Sequence, residues 1–291
     1  MLRPKRERKR TLTLIAIWYR RNWKDLYAIA DSQLTGRGGK LTERAPKFTI
    51  ANVVCFTSDK RGRYSKVVLN RTIAIGYAGS ASVAFATIAT LQAYLSSLAL
   101  RPGGSTPGLG EVAALAQRIL EENFRDFGAL WEYGAACDLI IFGFLPSDRG
   151  LKAFHVGSSV AENAILVNVT ELPLVEQESC TAFGSGSEYY MSELKNDMEA
   201  TGNFHPFNLL RRIIDGSERP DIGGHIQVAI ANKSSAFLPH VVTAVHGYDA
   251  QVSFLGRDVS AVGPIGDCLV GVDAVGPDAA ALEKIREGEN R

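Results

Sequence analysis

Hydrophobic and polar positions along this chain follow two periods in separate blocks. Straight after a charged leader, residues 11–18 begin as an alternating apolar segment, which predicts a strand. Residues 25–31 predict a second strand, joined to the first by a polar hairpin around Arg20-Arg21-Asn22. A glycine-rich turn over 36–39 follows, and residues 47–56 and 66–76 predict two more strands. The period then changes. Val83, Phe85, Ile88, Leu91, Leu95 and Leu98 recur at roughly helical spacing and predict a helix over 82–100. A second helix is predicted over 110–127, after a Pro/Gly-rich loop at 101–108.

Residues 76–100 contain no charged side chain, which raises a membrane-spanning reading. Ser80, Ser82, Thr87, Thr90, Gln92, Ser96 and Ser97 interrupt the stretch, so a buried core helix is the better reading and no membrane association is expected. Residues 137–145 are apolar but for Asp138 and suit a strand buried on both faces. Residues 151–156 pair back on it as a hairpin, and 164–169 extend the set. Helices are predicted again near 187–199 and 206–215, then strands at 225–231 and 241–245. Strands, two helices, strands, two helices, strands is the order of a layered α+β fold, not of a parallel sheet built from alternating units. Residues 246–291 begin strand-like at 251–255 and end in a polar, helix-prone tail from Asp278; they supply little core and are expected to pack on the main domain, the tail end being mobile.

Composition adds limits. The formal net charge of the 291-residue chain is +1, which gives no whole-protein pull toward nucleic acid or an anionic membrane. The charge is concentrated at the start: Arg3, Lys5, Arg6, Arg8, Lys9 and Arg10 stand against Glu7 alone. Trp18 to Lys24 interleaves aromatic and basic residues, a pattern able to stack on bases, but no nucleic-acid fold signature accompanies it and no nucleic-acid partner is expected. The four cysteines are scattered, without zinc spacing or a disulfide framework, so reduced thiols in a cytoplasmic protein are expected. None of the five histidines has metal-motif spacing, and neither a metal nor a cofactor is expected.

One set of residues carries chemistry. Thr11 opens the first strand. Ala30-Asp31-Ser32 ends the second. Lys47 follows sixteen residues after Asp31. Ala78-Gly79-Ser80 stands at a strand-to-helix junction, and Gly184-Ser185-Gly186-Ser187 precedes a helix. A threonine hydroxyl is a weak nucleophile that needs a base, and the free α-amine of the same residue can serve. A buried Lys47 beside Asp31 lowers the proton affinity of the hydroxyl, and a glycine N–H at a helix start suits an oxyanion. Each piece has a plainer reading: an ordinary strand threonine, a turn aspartate, a solvated edge lysine, a tight glycine turn and a helix-capping loop.

In order and spacing together these residues resemble the proteasome β-subunits, the threonine branch of the N-terminal-nucleophile hydrolases, over about residues 11–232. The resemblance implies a four-layer αββα sandwich, with residues 1–10 as a leader, 11–245 as the domain and 246–291 as an extension. It implies a threonine-type endopeptidase in which Thr11 attacks, Gly79 holds the oxyanion, and Asp31, Lys47 and Ser185 tune and relay protons. A peptide or protein substrate, a homo-oligomeric ring and an ATP-dependent unfoldase are the partners it implies. Thr13 matches the third-position threonine and Thr35 a substrate-binding threonine. The chain departs at Leu12, at Gln33 in place of an arginine, at Arg219 in place of an aspartate and at Ile222 in place of a serine; Arg10 replaces the glycine that precedes a self-released threonine. Two other readings stay open: a non-catalytic subunit that builds or regulates an assembly, and amide hydrolysis of a small molecule.

Overall fold

A computed structural model of the chain describes residues 13–36, 39–59, 64–131, 136–161, 164–177, 179–217, 219–220, 222–246, 249–263, 265–266, 268 and 273–276. It is a mixed α+β protein with two principal sheets. In the first, the strands run in the order Cys180–Phe183, Ile15–Arg20, Asp25–Ala30, Gln227–Ala231 and Ala236–Phe237, every neighbour antiparallel. In the second the order is Ala164–Glu171, Lys152–Ala161, Cys137–Gly143, Tyr64–Gly79, Phe48–Ser58 and Leu98–Leu100, and only the last pairing is parallel.

The strand period of two explains how these sheets are covered. From the first sheet, Ile15, Ile17, Ala28 and Ala30 meet Phe48, Ala74, Ala78, Ile140 and Phe142 of the second in one buried cluster. The alternate residues Leu14, Ala16, Trp18 and Ile29 pack on Tyr190 and Leu194 of the Ser187–Thr201 helix and on Leu209, Leu210 and Ile213 of the Pro206–Gly216 helix. On the second sheet, Ile73, Ile75, Tyr77, Leu139 and Ile141 face Val83 and Leu91 of the Ala81–Leu95 helix and Val112 and Leu120 of the Leu109–Trp131 helix. The apolar run of the Cys137–Gly143 strand follows from this: Ile140 and Phe142 serve one cluster, Leu139 and Ile141 another.

A third, small sheet joins Arg257–Asp258, Asp249–Phe254, His240–His246 and Ala274–Val275. Val241 belongs to the cluster around the Pro206–Gly216 helix, and Val275 packs against it. The helix expected over 82–100 is shorter than its hydrophobic spacing suggests. It ends at Leu95, the chain turns through Ser96 and Ser97, and Leu98–Leu100 becomes an edge strand opposite Cys55, Phe56 and Thr57. Adjacent serines compete locally for backbone hydrogen bonds and favour such an end. Among the described residues, no helix is long and apolar enough to cross a membrane. The polar tail from residue 278 lies outside the described residues.

Candidate functional site

Lys47 is the most unusual residue of the molecule: a lysine with no exposed surface. It stands just before the Phe48–Ser58 strand, and its main chain is held from both sides. Its N–H donates to Gln227 Oε1 (2.8 Å), and its carbonyl accepts from Tyr77 N–H (3.1 Å). Held this way, the side chain runs inward past the Tyr77 ring, with Nζ 5.3 Å from the ring centroid. Nζ donates to Thr13 Oγ1 at 2.8 Å, and Thr13 is itself buried.

Asp31, also fully buried, follows the Asp25–Ala30 strand. The register sets Ile15 opposite Ala30, so Leu14 comes opposite Asp31. Leu14 N–H donates to Asp31 Oδ1 (3.0 Å), and Gly223 N–H donates to Oδ2 (3.2 Å). The carboxylate therefore binds main-chain donors, while the ammonium binds the threonine hydroxyl; the two interact through space. Burial pushes the Asp31 carboxyl up to about 6, against the opposing pull of Lys47 and its N–H donors. Burial pulls the Lys47 ammonium down to about 8, against the pull of Asp31. An amine whose proton affinity falls near neutrality is suited to proton traffic.

Two glycines shape the surroundings. Gly79 has φ +94°, and a β-carbon there would collide with the Ala136 carbonyl oxygen. Ser80 N–H donates to that same oxygen (2.9 Å) just before the Ala81–Leu95 helix begins. Gly184 has φ +93°, and a β-carbon there would run into the Thr13 carbonyl oxygen. Glycine alone meets both demands without strain. Ser185 follows, with its Oγ buried and without a hydrogen-bond partner among the described residues.

Thr11 lies outside the described residues, as do Arg10, Glu218 and Asp221. The threonine in contact with Lys47 is Thr13, which sequence reasoning had set two places downstream of the nucleophile. Only the strand register could have found it, and a hairpin of unknown loop length leaves the register open by two residues. Ile222 is buried, and its side chain fills the space where a β-carbon on Gly186 would fall. The Arg219 guanidinium lies 5.2 Å from the Tyr189 ring centroid. Gln33 Nε2 donates to the Pro220 carbonyl (2.7 Å), which ties the segment after Asp31 to the chain before Gly223. A groove of about 1120 Å³ between the 18–23 hairpin and Met191–Met198 lies apart; none of these site residues lines it. Among the described residues no cluster of His, Cys, Asp or Glu is arranged to hold a metal.

No family model matches the chain, and no curated protein matches it. Solved structures do. Anbu, an ancestral beta-subunit, from Yersinia bercovieri shares 14% identity at a TM-score of 0.48, covering 96% of this chain and 93% of that one. A mutant Anbu from a Hyphomicrobium strain shares 11% at 0.49, again covering 96% and 93%. Anbu in a helical assembly from Pseudomonas aeruginosa shares 15% at 0.47, covering 96% and 92%. These neighbours correct the family read from the motifs: the proteins the chain is similar to are Anbu, not the proteasome β-subunits named from sequence. Motifs of three or four residues record what a local backbone requires and do not by themselves fix a family.

Proposed function

We propose that the chain is a proteasome-like subunit, built as a four-layer αββα sandwich, that hydrolyses peptide bonds with an N-terminal threonine, and that this threonine is Thr13. The observation that carries the reading is the 2.8 Å contact from Lys47 Nζ to Thr13 Oγ1 in a fully buried setting. A fully buried lysine whose carboxylate neighbour Asp31 spends its oxygens on main-chain N–H groups is a costly feature, and a hydroxyl that must lose its proton gives it a purpose.

The chemistry requires a free amine at residue 13, so the chain must first be cut after Leu12. The Thr13 amine then takes the hydroxyl proton as Oγ1 attacks the substrate carbonyl carbon. Gly79 N–H is the donor for the resulting oxyanion. The ammonium at Thr13 returns its proton to the leaving amine, the C–N bond breaks and an ester on Oγ1 remains. Water, deprotonated by the same amine, hydrolyses that ester and restores the threonine. Lys47 favours the oxygen anion throughout. Asp31 favours the charged form of Lys47 and anchors Leu14. Ser185, beside Gly184 and with no hydrogen-bond partner for its hydroxyl among the described residues, is the group we assign to the amine.

A second reading has its own observation. Ile222 and Arg219 stand where the resemblance read from sequence implies a serine and an aspartate, and Ile222 is packed into the core. A scaffold subunit that has lost part of its proton relay would look like this. One experiment separates the two. A chain beginning at Thr13 is assayed against a varied peptide library beside its Thr13→Ala variant. Turnover that disappears in Thr13→Ala supports the peptidase; equal turnover in both sinks it, and no turnover in either favours the scaffold. For the assembly, we propose a homo-oligomer that uses the Ala81–Leu95 helix, where Phe85 and Tyr94 are 45% and 55% exposed on an uncharged element. Sedimentation of Phe85→Glu/Tyr94→Glu beside the parent chain tests it: an unchanged size removes this face from the interface.

A further inference from the structure

An aspartate–histidine pair stands beside the Gly79 turn. Asp138 lies opposite Ala78 in the strand register, next to Cys137, which lies opposite Gly79. On the following strand His155 brings Nε2 to 2.9 Å from Asp138 Oδ1. The two side chains are 25% and 31% exposed, so the pair is neither a core contact nor a loose surface one. The space for it is made by Gly157, opposite Asp138, where a β-carbon would collide with the imidazole and crowd Asp138 Oδ1 at 3.1 Å. Ser158 completes the frame, because its Oγ accepts from Cys137 N–H (2.9 Å) and donates to Cys137 O (3.0 Å).

The imidazole then reaches across to the other sheet. Its ring packs on Phe183, centroids 4.5 Å apart. Phe183 ends the edge strand of the first sheet opposite Ile15 and leads directly into Gly184 and Ser185. Gly184 is wedged: a β-carbon on it would meet the Thr13 carbonyl oxygen on one side and Ala78 Cβ, at 3.4 Å, on the other. One histidine therefore connects the strand beside Gly79 to the segment beside Thr13. An aliphatic side chain could fill the volume, but only a ring bonded through one nitrogen is held at a fixed angle.

We propose that His155, oriented by Asp138, is a positioning residue: it holds Phe183-Gly184-Ser185 against Thr13 and so sets where the Ser185 hydroxyl stands relative to the nucleophile. This rests on the reading of Thr13 as the nucleophile. A part-exposed pair of this kind adds little to stability, so the geometry it imposes is the part that matters here.

Three variants of the chain beginning at Thr13 test the proposal. His155→Ala removes the ring. Gly157→Ala keeps the ring and pushes it off Asp138. Asp138→Asn keeps a hydrogen-bond acceptor for the imidazole. We expect His155→Ala and Gly157→Ala to lower kcat roughly tenfold or more with KM changed by less than about twofold, and Asp138→Asn to retain most of kcat. Amide hydrogen exchange at 183–185 should quicken in the first two variants and stay unchanged in the Leu109–Trp131 helix. Parent kcat in both, or a change confined to KM, overturns the proposal. So does exchange that quickens throughout the molecule, because His155 would then be a general structural residue. If the parent chain has no Thr13-dependent turnover, the peptidase reading fails on its own. The exchange measurement then decides alone: quickening confined to 183–185 supports the holding role, and no change overturns it.

Discussion

Asp31 and Asp138 stand on different sheets, each near a basic side chain, and they are treated in opposite ways. Asp31 has no exposed surface, uses its oxygens on Leu14 and Gly223 N–H groups, and leaves Lys47 free to bind a hydroxyl. Asp138 is part-exposed and bonds its base directly. A direct hydrogen bond in partial contact with water fixes the ring at little desolvation cost. Burial without direct pairing keeps both groups under strain from lost hydration, which is what moves their proton affinities toward neutrality. The first arrangement suits orientation and the second suits reactivity.

The sharpest way to break this contrast is Lys47→Met, which removes the cation at similar length. In the chain beginning at Thr13 we expect a loss of turnover of about 10² or more. The Asp31 carboxyl, deprived of the charge that opposes its burial, should rise above about 6, and carboxyl chemical shifts followed against pH check that. Asp31→Asn comes next. The Leu14, Gly223 and Gln33 main chains all donate N–H to the carboxylate, so the amide NH₂ must face a donor. We expect a destabilisation of about 1–3 kcal/mol by urea denaturation.

The pH dependence of stability gives a smaller, signed effect. Asp31 is raised from 3.8 to about 6, so between these values the folded state holds a proton the unfolded state has released. Stability contributed by this group is present below pH 3.8 and falls as pH rises to about 6. Lys47 is lowered from 10.5 to about 8, so the unfolded chain holds the extra proton in that window and stability rises with pH from about 8 to 10.5. The two groups together predict a shallow minimum between about 6 and 8, which Lys47→Met should remove on its alkaline side. Asp138→Ala is the smallest change, within about 1 kcal/mol of the parent, as a part-exposed pair implies. A loss as large as that of Asp31→Asn would erase the contrast between the two carboxylates.

Much of this was legible along the chain, for identifiable reasons. Leu139, Ile140, Ile141 and Phe142 are continuously apolar because the two faces of their strand serve two cores, and that leaves a mark in the sequence. Lys47 is marked by its separation from Asp31 and by its place at a strand start. The Cys180–Phe183 strand was missed: four residues are too few for a period to show. The choice between Thr11 and Thr13 depends on register, which is a property of a strand pair. His155 and Asp138 gave no signal, because the contact is made possible by Gly157, an absence of side chain on the same strand two residues away.

Gln227 reaches back across the whole chain. Its Nε2 donates to Ala45 O (2.6 Å) and its Oε1 accepts from Lys47 N–H (2.8 Å), so one amide spans Pro46, a residue with no N–H to offer. The partners are 182 and 180 positions apart in sequence, and the Gly223 bond to Asp31 spans 192. A chain made from its N-terminus outward has Thr13, Asp31 and Lys47 long before it has the strand that aims the lysine. Contacts this distant in sequence carry a large loop-closure cost. The lysine is therefore aimed at Thr13 only once nearly the whole domain exists, and a nascent or truncated chain carries these residues unassembled.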